Sequence, residues 1–169
     1  ALIWQAASTT TFKALYGRAH RAPNAYERDY DDGLGQVGNP ALKGESIDTL
    51  ELVADHRVGS DLQLHAAVYQ WTMRDLIALG IDPLSGSSQY QSGGDVKATG
   101  AEFSADKTWV WGGRLRGSLS LQHVRNDAGA RLLNSPQLLG TLNFSAPLPV
   151  AGLRMGYELR YDSPRLTLD

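Results

Sequence analysis

The chain contains no cysteine, so neither a disulfide framework nor thiol chemistry can organise it. Long apolar runs are missing too. Leu76 to Ile81 is typical of the longest, far below the ~18 residues that a membrane-crossing helix requires. Basic excess is absent: the 169 residues carry a net charge of −2, which argues against nucleic acid as a partner. No nucleophile elbow, phosphate loop or HExxH helix occurs. Gly33-Leu34-Gly35-Gln36-Val37-Gly38 spells GxGxxG. It falls in a predicted loop, with no following helix whose N-terminus could hold a pyrophosphate. Nothing selects a carboxylate pair for glycoside hydrolysis. No catalytic residue is assigned, no cofactor is implied, and an enzyme is not expected.

What the chain does have is alternation. In its last clear segment Leu153, Met155, Tyr157, Leu159 and Tyr161 alternate with Arg154, Gly156, Glu158, Arg160 and Asp162. A strand has a side-chain period of two, so this pattern gives a sheet with one oily face and one wetted face. The same signature predicts a partial strand at 1–6 and further strands at about 10–19, 47–58, 62–75, 91–109, 114–125 and 138–146. Tight turns are expected near residues 8, 60, 112 and 150. Longer connections are expected at 21–46, 76–90 and 126–135. Leu2-Ile3-Trp4 reads as the tail of a strand under way and Leu166-Thr167-Leu168-Asp169 as one beginning, so the chain is expected to be part of a longer polypeptide.

Two solvents could meet the oily face. A soluble all-β binding module, possibly for carbohydrate, would bury it against a second sheet. An outer-membrane barrel would turn it to lipid and line a hydrated lumen with the other face. All the short turns fall at one end of the up-and-down order and all the long loops at the other. That asymmetry belongs to barrels with short periplasmic turns and long outer loops, and it favours lipid. Trp4, Trp109 and Trp111 lie beside short turns, where an interfacial aromatic girdle would sit.

Metal chemistry finds little support. His20, His56, His65 and His123 are scattered; His56 and His65 flank one turn and could be neighbours, yet two histidines without a third ligand rarely make a site. Asp29-Tyr30-Asp31-Asp32-Gly33 gathers three carboxylates but lacks the bidentate Glu of a twelve-residue calcium loop. A solvated acidic loop tip is expected there, and no metal ligand is assigned.

One stretch points to a family. Tyr16-Gly17-Arg18-Ala19-His20-Arg21-Ala22-Pro23-Asn24-Ala25-Tyr26-Glu27 resembles the YGxxFRAPxxYE segment of TonB-dependent outer-membrane receptors. Asn39-Pro40-Ala41-Leu42-Lys43-Gly44-Glu45 follows like their NPxLKPE segment, and Glu51-Leu52 like their YELG strand. Gly100-Ala101-Glu102 is similar to GxE and Asn134-Ser135-Pro136 to NSP. Each match is weak; the ordered set, running along essentially the whole chain, is strong. His20 replaces the usual Phe and Gly44 the usual Pro. Haem receptors of this kind carry a His between the two boxes, and none lies between Pro23 and Asn39, so haem is disfavoured.

The resemblance implies an all-β, antiparallel up-and-down meander forming about a third of a transmembrane barrel of about 22 strands. It would come from the C-terminal part, over 1–169, with the plug and last strands missing. The implied function is active uptake of a scarce nutrient, such as a ferric siderophore, in a Gram-negative outer membrane. The implied partners are an extracellular iron chelate, cobalamin or glycan, the membrane lipid, and the TonB complex acting through the plug. Arg18, Arg21, Asn24, Tyr26 and Glu27 would then sit at the outer mouth, where an Arg fork suits carboxylate or catecholate oxygens. The plainer reading has Arg21 and Glu27 pair with neighbouring loops and only hold the rim together.

Overall fold

The computed structural model describes residues 1–167; Leu168 and Asp169, part of the expected terminal strand start, lie outside the described residues. Eight strands form one antiparallel sheet in simple up-and-down order. They are β1 (Leu2–Ala7), β2 (Thr10–Arg21), β4 (Glu45–Val58), β5 (Leu62–Arg74), β8 (Val96–Thr108), β9 (Arg114–Asn126), β10 (Leu138–Pro147) and β11 (Arg154–Asp162). The loops between them hold a short helix, α1 (Ala25–Asp29), and three further strands: β3 (Gln36–Val37), β6 (Ile77–Ile81) and β7 (Ser88–Ser92).

Register carries the two-faced pattern across the whole sheet. Residues paired on antiparallel strands share a face. One row reads Trp4, Phe12, Ala54, Ala66, Phe103, Leu119, Gly140 and Tyr161, with no polar group except the tyrosine hydroxyl. On the opposite face a row reads Gln5, Thr11, Asp55, His65, Ser104, Ser118, Thr141 and Arg160, polar throughout. A one-residue slip in any strand would exchange the two rows locally, so the alternation itself fixes the pairing.

Among the described residues no second layer covers the apolar face. A compact monomer of 18.3 kDa exposes about 8,100 Å², whereas this chain exposes 11314 Å². The two packed sheets of the sandwich alternative are therefore not formed. Leu50, Leu52, Val68, Leu121 and Leu159 each remain about half exposed. β1 and β11 are open edges among the described residues, so the sheet is an unclosed piece of wall. At the turn end, Trp4 stacks on Phe12 (5.6 Å) and Trp109 on Trp111 (5.8 Å), with Phe144 beside Trp111 at 6.5 Å. The aromatics near the short turns thus form clusters on the apolar side.

The stretches read as loops hold more structure than their composition suggested. Over 76–90 the chain forms the arms of a β6–β7 hairpin, continuing to Ser92. Its tip is closed by Asp82, whose carboxylate accepts from the Ser85 N–H and hydroxyl. What reads as one irregular strand from 91 to 109 is two, because Gly94 adopts a left-handed φ of 85° and breaks the run before Val96. β3 pairs in parallel with β7, joining the first long loop to the second. The apolar core is small and lies here: Val96, Ala98 and Val124 pack with Trp71, Met73, Leu76 and Leu132. Trp71, Ala98 and Val124 share a row on the polar face, so that face becomes apolar where the loops meet it.

Candidate functional site

The segment after β2 folds as a latch. Asn24 caps α1: its side chain accepts from the Glu27 N–H at 2.8 Å, while Glu27 accepts from the Asn24 N–H at 2.9 Å. This reciprocal pair is a capping box, and it fixes a helix too short to persist unaided. Glu27 also receives Arg21 Nη1, at 2.9 and 3.0 Å. Arg21 Nε reaches Glu45 at 2.6 Å, and the other Glu45 oxygen takes the Ile77 N–H at 2.8 Å. The end of β2, α1, the start of β4 and the start of β6 are thus tied through one guanidinium. The Asn24 N–H, and behind it Arg21, hold the Glu27 carboxyl below the usual carboxylate range.

Arg21, Asn24 and Glu27 are therefore together and engaged with one another. Arg18 is elsewhere. It pairs with Asp48 across from β4, on the face that carries Tyr16, and lies 3.4 Å from the Asp48 carboxylate. Asp48 also accepts from the Tyr16 hydroxyl (2.8 Å) and from Arg74. His20 is on this same face, opposite Ser46.

Tyr26 stands in a small aromatic group. It stacks on Tyr30 (4.5 Å) and meets the edge of Tyr90 (6.2 Å). Tyr26 and Tyr30 remain substantially exposed, so the group presents rings and hydroxyls to solvent at the loop end. Sequence reading missed Tyr30 and Tyr90. The signal for Tyr90 was present: two short runs flanking Asp82-Pro83 and Ser85-Gly86 are a hairpin pattern.

The Asn39-to-Glu45 segment docks beneath. Asn39 Nδ2 donates to the Tyr90 carbonyl (2.8 Å), Gln89 donates to the Gly38 carbonyl (3.0 Å), and the Lys43 N–H donates to Ser92 Oγ (2.7 Å). Leu42 is buried there. A Cβ at Gly44 would come within 3.0 Å of the Arg21 carbonyl oxygen, so the two backbones approach closely there.

The acidic tip is internally satisfied. Asp32 Oδ1 accepts from the N–H groups of Leu34, Gly35 and Gln36 at 2.8–3.0 Å, and these hold its carboxyl at about 2. Asp31 accepts from the Gly33 N–H, and Asp29 pairs with Arg28. β3 (Gln36–Val37) lies within the GxGxxG stretch, and no helix follows it among the described residues. His56 and His65 do not meet: His65 pairs with Asp55 and His56 with Leu64, which puts them on opposite faces. No group of three or more potential metal ligands occurs among the described residues.

On the polar face towards the turn end lies an open concavity of about 520 Å³ that includes Asp55, His65, Asp106, Arg116 and Ser118. Its charges are cross-linked: Lys13 and His65 both reach Asp55, at 2.8 and 2.7 Å, and Arg114 reaches Asp106 at 2.9 Å.

A single antiparallel meander with one uncovered apolar face, short turns at one end and interlocked loops at the other is a wall segment of an outer-membrane-type barrel. Comparison with known proteins gives the family. The model described as TonB dependent receptor-like, beta-barrel matches residues 1–167, and the chain belongs to that family. Among curated proteins none matches in sequence.

Similar solved structures include the FrpB iron transporter from Neisseria meningitidis, with a TM-score of 0.74 at 19% identity, covering 95% of this chain and 25% of that one. The alcaligin outer-membrane receptor FauA from Bordetella pertussis gives 0.67 at 20%, covering 95% and 28%. FpvA from P. aeruginosa, bound to heterologous pyoverdine and iron, gives 0.73 at 16%, covering 95% and 22%. The chain spans about a quarter of the length of the structures it matches. The family is one of outer-membrane transport receptors of Gram-negative bacteria, not of enzymes.

Proposed function

We propose that this chain is barrel wall from a receptor for active uptake of a scarce nutrient, such as a ferric siderophore, across a Gram-negative outer membrane. The observation that carries the reading is the uncovered apolar row running through all eight strands, in a chain of this family. Outer-membrane lipid would solvate that face. The loop end would face outward and take a small extracellular ligand, an iron chelate ahead of cobalamin or a glycan. The cross-linked charges of the turn-end concavity would meet the plug, through which the TonB complex delivers energy. Domain limits of 1–169 within a longer barrel belong to the same proposal.

At the mouth, Tyr26 with Tyr30 and Tyr90 would touch the ligand, because exposed rings and hydroxyls suit planar chelates. Arg21, Asn24 and Glu27 would position Tyr26 rather than contact the ligand, since Arg21 is bound to Glu27 and Asn24 caps the helix that carries Tyr26. Arg18 would lie outside the mouth.

The test uses the whole receptor containing this chain, purified from outer membranes and titrated with a ferric catecholate, a ferric hydroxamate and cobalamin. One probe should quench tryptophan fluorescence, and Tyr26→Ala should weaken that binding by roughly 3–10-fold. Absence of the receptor from the outer-membrane fraction would overturn the reading. Unchanged affinity in Tyr26→Ala would overturn the assignment of the mouth.

A further inference from the structure

The two interlocked loops are acidic. Residues 22–44 carry four acids, Glu27, Asp29, Asp31 and Asp32, against Arg28 and Lys43. Residues 75–95 carry Asp75, Asp82 and Asp95 against no base. The two loops together therefore have a net charge of −5, in a chain whose total is −2. Counting the strand ends as well, over 18–48 and 74–97, still leaves −3. The third loop adds one charge of each sign, Asp127 and Arg131.

The cations of these two loops are already engaged. Arg28 binds Asp29 at 2.9 Å, Lys43 stands 3.7 Å from Asp75, and Arg21 below them spans Glu27 and Glu45. Asp32 and Asp82 are held by neutral donors instead: three backbone N–H groups for Asp32, the Ser85 hydroxyl and N–H for Asp82. Such donors stabilise a carboxylate without cancelling its charge, and both carboxyls lie below the usual range for that reason. The surplus is thus permanent at neutral pH. A field of this sign gathers cations and repels anions.

The same loops present an uncharged apolar strip. Across the β6–β7 hairpin Ile77, Leu79 and Ile81 lie opposite Ser92, Tyr90 and Ser88, all on one face. Leu79 pairs directly with Tyr90, Tyr90 meets Tyr26 at 6.2 Å, and Tyr26 stacks on Tyr30 at 4.5 Å. Leu79, Ile81, Tyr26 and Tyr30 are all exposed. Asp29 and Asp31 flank Tyr30 in the chain, and Asp82 follows Ile81. The other face of the hairpin holds Gln89 and Gln91, whose amides are spent on the Gly38 and Ile81 carbonyls.

Oil and phenol rings set in anionic surroundings suit an apolar body that carries positive charge. Ring faces attract cations through their quadrupole. An anionic chelate would meet like charge here, with the Arg21 and Arg28 forks already taken.

We infer that the ligand of this mouth is a chelate of net positive charge, whose alkylammonium arm lies along Leu79 and Tyr90 with its charge over the Tyr26 and Tyr30 rings. The same field discriminates against anionic catecholate and hydroxycarboxylate chelates. This rests on the reading of the loop end as the outer mouth of an uptake receptor, and it adds the sign of the ligand's charge.

The experiment uses the whole receptor, purified from outer membranes, and three probes that share one iron centre. They are a linear ferric trihydroxamate ending in a free alkylammonium, the same chelate with that amine acetylated, and the same chelate with it succinylated. Their charges run from positive through neutral to negative. By tryptophan quenching, the ammonium chelate should bind roughly 3–10-fold tighter than the acetylated one, and the succinylated one should be weaker again by a similar factor. Raising sodium chloride from about 0.05 M to about 0.5 M should shrink both gaps, because exposed charges are screened. Asp31→Asn keeps an acceptor for the Gly33 N–H; it should narrow the ammonium-to-acetyl gap about twofold and leave the acetylated chelate unaffected. Leu79→Ser should weaken all three alike, by about threefold.

Equal affinity for the three, preference for the succinylated chelate, or no binding of the ammonium chelate would overturn the inference. A gap that neither salt nor Asp31→Asn alters would overturn it too, since the discrimination would then be steric. Failure of the functional reading looks different: the receptor is missing from the outer-membrane fraction, or Tyr26→Ala binds every chelate as wild type does.

Discussion

At the scale of single residues, the two faces of the sheet differ in what they tolerate. Leu119 lies in the continuous apolar row, and its neighbour Ser120 pairs with Glu102 on the other face. In the whole receptor Leu119→Arg should cost roughly 2–4 kcal/mol of stability if it sits near the bilayer midplane, and Ser120→Arg little. Reversible urea unfolding in lipid vesicles measures both, and equal losses would argue against the face assignment. Gly100 makes a second case. A Cβ there would overlap the Tyr69 ring and come within 2.8 Å of the Leu121 carbonyl oxygen. Gly100→Ala should cost about 1–3 kcal/mol through overpacking. Tyr69→Ala should relieve part of that loss, so the double variant should be less destabilised than the sum of the singles.

Single elements show how local chemistry holds the loop end. The turn from Asp31 to Gln36 depends on one carboxylate, Asp32, bound by three backbone N–H groups. Its folded value of about 2 lies below the ordinary ~3.9. The stabilisation is therefore fully present above about pH 4 and is lost as pH falls through about 2. Asp32→Ala should reproduce the acid effect at neutral pH, read as faster amide hydrogen exchange at Leu34 to Gln36 with the eight-strand sheet unchanged.

The strands of that sheet were legible in the sequence, because a period of two needs only the residues within each segment. β3, β6 and β7 were less legible. β3 is two residues long and exists only because β7 from another loop lies beside it. Periodicity cannot report such a pairing. Within the candidate site the Asn24-x-x-Glu27 capping spacing was present in the sequence but went unread, and Arg21 and Glu27, offered with a rim-holding alternative, are bonded to each other. Arg18 stands apart from Arg21 because two residues on a strand of alternating faces that differ by an odd step point opposite ways.

As a whole molecule, the described residues form a single main sheet with two open edges and an uncovered oily face. Expressed alone in water it should aggregate through both features. Sedimentation should find it in the pellet without detergent, and a monodisperse monomer in plain buffer would contradict the barrel reading. The parallel join of β3 to β7 has a consequence for engineering. The two long loops are halves of one interlocked cap, so grafting the first loop from a relative without the second would strand β7 without its mate. Chimeras that exchange 22–44 together with 75–95 should keep the cap intact, and those that exchange either alone should lose it.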